Sequence, residues 1–421
     1  MPRKLGFRKS SAEARMVMLM PFGIILMNLT LVRAFSFEVT VGTVIFLLSL
    51  LVFMLKGNMS KGSLLGMSLM FSYGLIGSFF AEDFGEFFRS FVLVILLWLY
   101  ISVLIRSRVA DDQVIIRAMK VLVRLTAVTA VLVLIDLFFV NILSSTLVSN
   151  PFGGMKSLGP GYEIYLPSTV SRIGRPSGLF SEPSVAAWVM ALGCSVAIVL
   201  GRKKERYTFW LGALCFLGML ATATLSAFVN AAVLLLVSLY IRTGSLIQRF
   251  GMAALTFLVF VGILVLLFAA GVSDRLVSFA EEGTSTYYRV VAPFLLLSDS
   301  LVDYPFGHPL GQVEYIASKE YMINWAFGSQ TNIDNSFLMV SFYFGIFGVI
   351  GGLLVFTYAA FLILKKSDAA PIIVAVLLML LETGALWSPN VGLVIGFFVL
   401  IIRHIRQNES KSYISSPLTT R

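Results

Sequence analysis

The chain has 421 residues, 58% of them hydrophobic and only 13% charged, with two cysteines and a net charge of +10; its mean hydropathy is +0.91. That much apolar surface excludes a water-soluble globule and predicts an all-α polytopic membrane protein forming a single integral-membrane domain over 1–421. Cys194 and Cys215 lie inside apolar runs, which excludes a disulfide framework and offers no metal-ligand spacing.

In chain order, apolar segments near 16–32, 39–55, 62–80, 91–105, 119–140, 184–200, 208–222, 225–241, 252–271, 335–364, 369–387 and 391–402 predict about twelve transmembrane helices. Several approach the ~20 residues that cross a bilayer. The basic stretch MPRKLGFRKSSAEAR ahead of the first has no small-residue cleavage site and reads as the flank of an uncleaved anchor. With the N-terminus placed in the cytoplasm, 24 of the 32 Lys and Arg fall in inward segments, while 16 of the 22 carboxylates fall at outward loops or outer helix ends. Basic charge then marks orientation, with both termini cytoplasmic, and implies no nucleic-acid partner. Inward connections such as GRKKERY (201–207) are too short for a nucleotide-binding domain, and no G-x-x-x-x-G-K-[ST] loop occurs, which argues against ATP hydrolysis by this chain. Two outward (periplasmic) connections, 141–183 and 272–334, run to 43 and 63 residues. Loops that long usually carry function, and short helices are expected in them. The polar tail 403–421 is expected to be disordered.

The first long loop ends in RIGRPSGLFSEPS (172–184), directly before the sixth span. Arg172 and Arg175 are three residues apart, so one turn can aim two guanidiniums at a single anion, with Glu182 close behind. The same residues could instead touch lipid headgroups while Glu182 and Pro183 merely start the helix. In the second loop, TSTYYRVVAPFLLLSDSLVD (284–303) opens with helix-capping hydroxyls and reads as an interfacial helix carrying Tyr288 and a third cation, Arg289. YPFGHPLGQ (304–312) is a Gly/Pro-rich turn containing His308, either a base that titrates near neutrality or a hydrogen-bonding turn residue. NIDNSFLMVSFYFGIFG (332–348) sets Asp334 at the mouth of the tenth span, as a base or as a helix cap. Asp136, Glu382 and Asn230 sit in apolar segments where lipid exposure is costly, so they should face protein or an outward cavity.

Three motifs, R-x-x-R-P-S-G-L-F-S-E-P-S before a span, Y-x-R followed by Y-P-F-G-H-P-L-G, and D-N-S-F-L with G-I-F-G, resemble the Wzy-type polysaccharide polymerases, within the group that also holds the O-antigen ligases. Ligases of this group carry a His directly before the Asn of the last motif. Asp334 stands there in this chain, which favours a polymerase. The resemblance implies polymerisation of polyprenyl-pyrophosphate-linked oligosaccharide repeat units on the outer face of a bacterial cytoplasmic (inner) membrane, with a chain-length-regulating co-polymerase as a further partner. Pyrophosphate is a good leaving group that needs charge stabilisation, which Arg172, Arg175 and Arg289 could supply; the acceptor hydroxyl needs a base, for which Asp334, His308 and Glu182 are candidates. Tyr288, Asp136 and Glu382 are expected to support that site. No D-x-D motif occurs, so a metal-independent, inverting glycosyl transfer without a cofactor is expected. A ligase-like transferase and a flippase or transporter for the same lipid-linked sugars remain the alternatives; the chain lacks the two matching halves common in transporters.

Overall fold

The computed structural model of the chain describes residues 12–34, 37–55, 60–107, 112–142, 176–180, 182–202, 206–242, 291–313, 315–316, 333–384 and 386–415. Among them the helices are α1 (Ala12–Ile25), α2 (Val41–Met54), α3 (Lys61–Ser78), α4 (Phe84–Arg106), α5 (Asp112–Ile142), α6 (Pro183–Arg202), α7 (Arg206–Ala221), α8 (Leu225–Arg242), α9 (Ala292–Asp303), α10 (Ser336–Leu364), α11 (Ala370–Glu382) and α12 (Pro389–Ser415). A hairpin of β1 (Thr30–Ala34) and β2 (Phe37–Thr40) pairs antiparallel between α1 and α2. The expected ninth segment, 252–271, lies outside the described residues, as do Arg172, Arg175, Tyr288 and Arg289.

Helices dominate because hydrocarbon offers no partner to a backbone N–H or C=O, so each segment must satisfy its own. Six of them, α4, α5, α6, α8, α10 and α12, are long and apolar enough to cross a membrane, and α2, α7 and α11 are shorter apolar helices. Their starts are written in local chemistry. Thr40, Ser60, Asp83 and Asn335 turn side-chain oxygens onto the exposed amides of α2, α3, α4 and α10. Prolines open α6 and α12, where a missing N–H costs nothing.

α6 is the centre of the bundle. Most of its span (78%) is buried in protein, against 17% for α10, so α6 is a protein-wrapped axis while α10 faces outward along most of its length. α6 packs on α5, α7, α8 and α11, and Ala186, Ala187, Ala191, Gly193 and Ala197 let those neighbours approach closely. One large apolar cluster joins α6 with α1, α2, α4, α5, α7, α8, α11 and α12. A second, smaller cluster gathers Phe87 and Val94 of α4, Leu296 of α9, Leu310, Val313, Met339, Phe342 and Tyr343 of α10, and Trp387.

Three sequence expectations change. The first apolar segment does not stay helical to residue 32: α1 stops at Ile25, and Thr30, Val32, Val39 and Thr40, all β-branched, favour the hairpin instead. The tenth span is not one helix, because Gly345 takes a non-helical φ of 55° and ψ of −135° and divides α10. The expected tail is not disordered at its start, since α12 runs on through 403–415. Tertiary contacts hold that extension. Arg403 donates to the Leu104 carbonyl at 3.1 Å and the Ser107 carbonyl at 2.6 Å, closing the end of α4. His404 Nδ1 lies 3.0 Å from the Asp112 carboxylate at the start of α5, and Glu409 accepts from the Ser367 hydroxyl and the Asp368 amide, both at 2.8 Å. Asp368 in turn pairs with Arg202 at the end of α6. This network gathers Arg106, Arg202, Lys365, Lys366, Arg403 and Arg406 at one end of the bundle.

Arg403→Ala should lower thermal stability in detergent by about 1–3 kcal/mol, because two helix-terminal carbonyls lose a charged donor. A melt indistinguishable from wild type would show that the extension is not fastened there.

Candidate functional site

At the opposite end of the bundle, the described parts of the sequence motifs pack against different helices. The Gly/Pro-rich turn 304–308 sits in the break of α10. Breaking a helix at Gly345 frees backbone groups on either side, and the turn supplies their partners. The Ile346 amide donates to the Pro305 carbonyl at 2.9 Å, and the His308 amide donates to the Phe342 carbonyl at 3.1 Å. The Tyr73 hydroxyl of α3 reaches the Tyr343 carbonyl as well as the His308 carbonyl, the latter at 2.9 Å. Gly307 at φ 89° and Gly345 face each other so closely that a Cβ on either would strike backbone of the other strand. Gln312 extends the lock to α4, donating to the Asp83 carbonyl at 2.9 Å and accepting from the Asp83 amide at 3.2 Å.

His308 is buried within this lock. Its Nε2 lies 2.8 Å from the Ser300 hydroxyl of α9, and its ring stacks on Phe342 and lies tilted against Tyr304, both with centroids 4.5 Å away. Burial among apolar groups pushes its pKa down to about 4, against a smaller opposing pull from Asp303. The expectation of titration near neutrality is therefore corrected. His308 also stands beside Phe342, eight residues beyond Asp334, which is ~12 Å along the helix axis.

Asp334 is half-buried ahead of α10, but it is not the cap expected of it. Asn335 carries that role, its Oδ1 accepting from Phe337 at 3.0 Å and Leu338 at 3.2 Å. The segment docks on the α11–α12 connection: Ser336 donates its hydroxyl proton to the Thr383 carbonyl, and Gly384 lies so near Ile333 and Asp334 that a Cβ there would collide with the Ile333 carbonyl. Glu382, the last residue of α11, directly precedes these two docking residues.

The end of the opening motif folds against α5. The Gly178 amide, at φ 56°, donates to Asp136 Oδ2 at 3.4 Å, and Phe180 is fully buried. Asp136 is itself 2% exposed, so the expectation that it faces protein holds. Glu182 stands immediately before α6 and accepts from the Ser184 hydroxyl at 3.0 Å. Because α5 packs on α6, α6 on α11 and α11 on α10, Asp136, Glu182, Glu382 and Asp334 are carried by four successive neighbours at this end. His308 belongs to another flank, formed by α3, α9 and the broken α10. Sequence reasoning missed Tyr73, Gln312, Ser300 and Thr383; only the spaced glycines of F-G-I-F-G signalled the break.

A family model described as WcaD colanic acid polymerase matches residues 15–404. No curated protein matches the chain.

Gly345→Ala should destabilise the fold by about 1–3 kcal/mol, since the new methyl group meets the Pro305 carbonyl at a backbone conformation hostile to L side chains. Gly351→Ala, in open space on the same helix, should be neutral or slightly stabilising. Equal melting temperatures for the two variants would refute the lock.

His308 makes a pH signature. Its folded-state pKa is depressed below 6.5, so the unfolded chain takes up the proton first as pH falls; stability is intact above about pH 6.5 and declines toward pH 4. His308→Gln should flatten that slope in detergent melts, and an unchanged slope would show that His308 titrates normally.

Proposed function

The chain belongs to the WcaD colanic acid polymerase family, and from that premise we propose that it joins polyprenyl-pyrophosphate-linked oligosaccharide repeat units into a surface polysaccharide on the outer face of the cytoplasmic membrane. Membership makes it a membrane polysaccharide polymerase of the glycosyltransferase kind. The orientation is supported by charge: basic residues gather at the network that joins α4, α5, α6 and α12, and Lys and Arg favour the cytoplasmic side.

One observation carries the reading. Four successive packed helices bring Asp136, Glu182, Glu382 and Asp334 to the end opposite that basic network. A rim so rich in carboxylates does not bind an anionic donor by itself. Arg172, Arg175 and Arg289, in the two long outward connections of the sequence, are suited by their forked guanidiniums to a pyrophosphate and are assigned that role in this reading.

In this reading Asp334 is the base. The helix cap is carried by Asn335, and Asp334 stands half-buried ahead of the helix, beside the Thr383–Gly384 backbone. The acceptor hydroxyl attacks the anomeric carbon from the face opposite the pyrophosphate. As the new C–O bond forms, the bond to the pyrophosphate oxygen breaks, the proton passes to Asp334, and polyprenyl pyrophosphate departs with the bonding electrons. The anomeric centre inverts. The arginines meet the charge growing on the leaving group, a task that needs neither a metal ion nor a second carboxylic acid. Glu182 serves as an organiser, with Asp136 fixing the turn that follows Arg175. Tyr288, next to Arg289 in the sequence, is assigned a supporting role.

Broken helices also occur in transporters, where the freed backbone groups meet substrate or ions. Here the Phe342 and Tyr343 carbonyls and the Ile346 amide are already taken by the turn and by Tyr73, which favours a fixed scaffold.

The test is chain growth by purified protein in detergent, given lipid-linked repeat units. Asp334→Asn keeps the cap and the shape, and should cut polymer yield by about 10²–10⁴-fold with an unchanged melting temperature. Lysine at Arg172, Arg175 or Arg289 should lower it sharply as well. Wild-type yield from Asp334→Asn would remove Asp334 from the mechanism, and activity visible only as movement across vesicles would replace the polymerase with a transporter.

A further inference from the structure

The break in α10 does more than hold a turn. Beside it lies a cavity of about 350 Å³ whose walls come from α3 (Met70), α4 (Leu97, Trp98), both sides of the α10 break (Val340 and Phe344 before it, Phe347 after it) and the α11–α12 connection (Trp387). Nearly all of the lining is hydrocarbon or aromatic ring, so it has no use for a sugar or a phosphate. It opens sideways: Phe347, also in its wall, is 64% exposed on the outward face of a helix whose span is only 17% buried. At its other end, Trp387 lies three residues beyond Gly384, the residue that abuts Asp334. Along α10, Val340 and Phe344 lie six and ten residues past Asp334, which is ~9 and ~15 Å. The indole N–H of Trp387 is buried with no acceptor among the described residues.

We propose that this cavity receives the first prenyl units of the lipid-linked donor, entering sideways from the bilayer, while the pyrophosphate lies at the Asp334 end. Its volume, at the lower end of the ~300–1,000 Å³ of small-molecule sites, takes the start of a long chain and leaves the remainder in lipid. An apolar wall contiguous with the polar rim, at a depth that follows the direction of the chain, matches an amphiphile with a charged head and a hydrocarbon tail. Saturated acyl chains share the apolar chemistry, but the rigid, ring-lined walls of Trp98, Phe344 and Trp387 suit a branched, planar isoprenoid better.

The inference rests on the donor being lipid-linked, and its test is independent of catalysis. The full chain is reconstituted in phospholipid nanodiscs with a polyprenyl monophosphate carrying a diazirine near its phosphate end and no sugar. Adducts are expected on the peptides bearing Met70, Trp98 and Phe344. Met70→Trp and, separately, Val340→Phe fill the cavity and should each cut labelling at least tenfold; two fillings from different helices guard against one that fails to fold. Labelling unchanged by either filling overturns the proposal, as does equal labelling of the same peptides by a diazirine-bearing phospholipid. Cavity labelling without chain growth in the detergent assay would refute the polymerase reading and leave this site standing, whereas chain growth without cavity labelling would refute the site alone.

Discussion

The structure depends on how a broken membrane helix keeps its backbone satisfied. A chain reversal of φ and ψ at Gly345 leaves carbonyls and an amide with no partner inside α10, and in a low-dielectric medium each unsatisfied group costs several kcal/mol. The turn 304–308 and Tyr73 meet that cost with hydrogen bonds from two other parts of the chain. Because the partners must come within hydrogen-bonding distance, the turn has glycine where the backbones touch. The break then fixes α3, α4, α9 and α10 relative to one another, and the smaller apolar cluster forms around it.

The two ends of the bundle are built on opposite principles. At the basic end, charges are used up: Arg403 on carbonyls, Glu409 on a hydroxyl and an amide, Asp368 on Arg202. These contacts tie the basic ends of α4, α5, α6 and α12 into one piece and extend α12 past its apolar span. At the acidic end, backbone groups are the main partners: Asn335 caps α10, Ser336 binds the Thr383 carbonyl, and the Asp136 carboxylate holds the Gly178 amide.

His308 and Asp334 show why neighbouring motifs need not share a task. Both lie in the segments that resemble polysaccharide polymerases, and both could accept a proton. Packing separates them: His308 is enclosed by Phe342, Tyr304 and Ser300 in the lock, while Asp334 stands half-buried at the rim. A desolvated imidazole with its ring nitrogen already engaged is a structural bolt, and its depressed basicity follows from the same burial that makes it effective in that role.

The sequence alone determined the membrane class, most helix positions and the sidedness of charge, because hydrophobic periodicity, capping residues and the Lys/Arg bias are local properties that each segment carries with it. It also singled out Asp136 and Glu382, because a carboxylate in an apolar run needs a reason to be there, and Glu182 and Asp334, from the motifs at the mouths of two spans. What only the tertiary structure decided were relations between distant segments. That Gly345 would break its helix depended on a turn some forty residues earlier in the chain and on a tyrosine from α3, neither of which a local pattern can announce. The cap passed from Asp334 to Asn335 because the preceding backbone docks on Thr383 and Gly384. The apparent tail became helix because Arg403 and Glu409 find partners on α4 and the α10–α11 turn. In each case a polar group's fate was set by which distant group came within hydrogen-bonding range, and that is a property of the packed bundle.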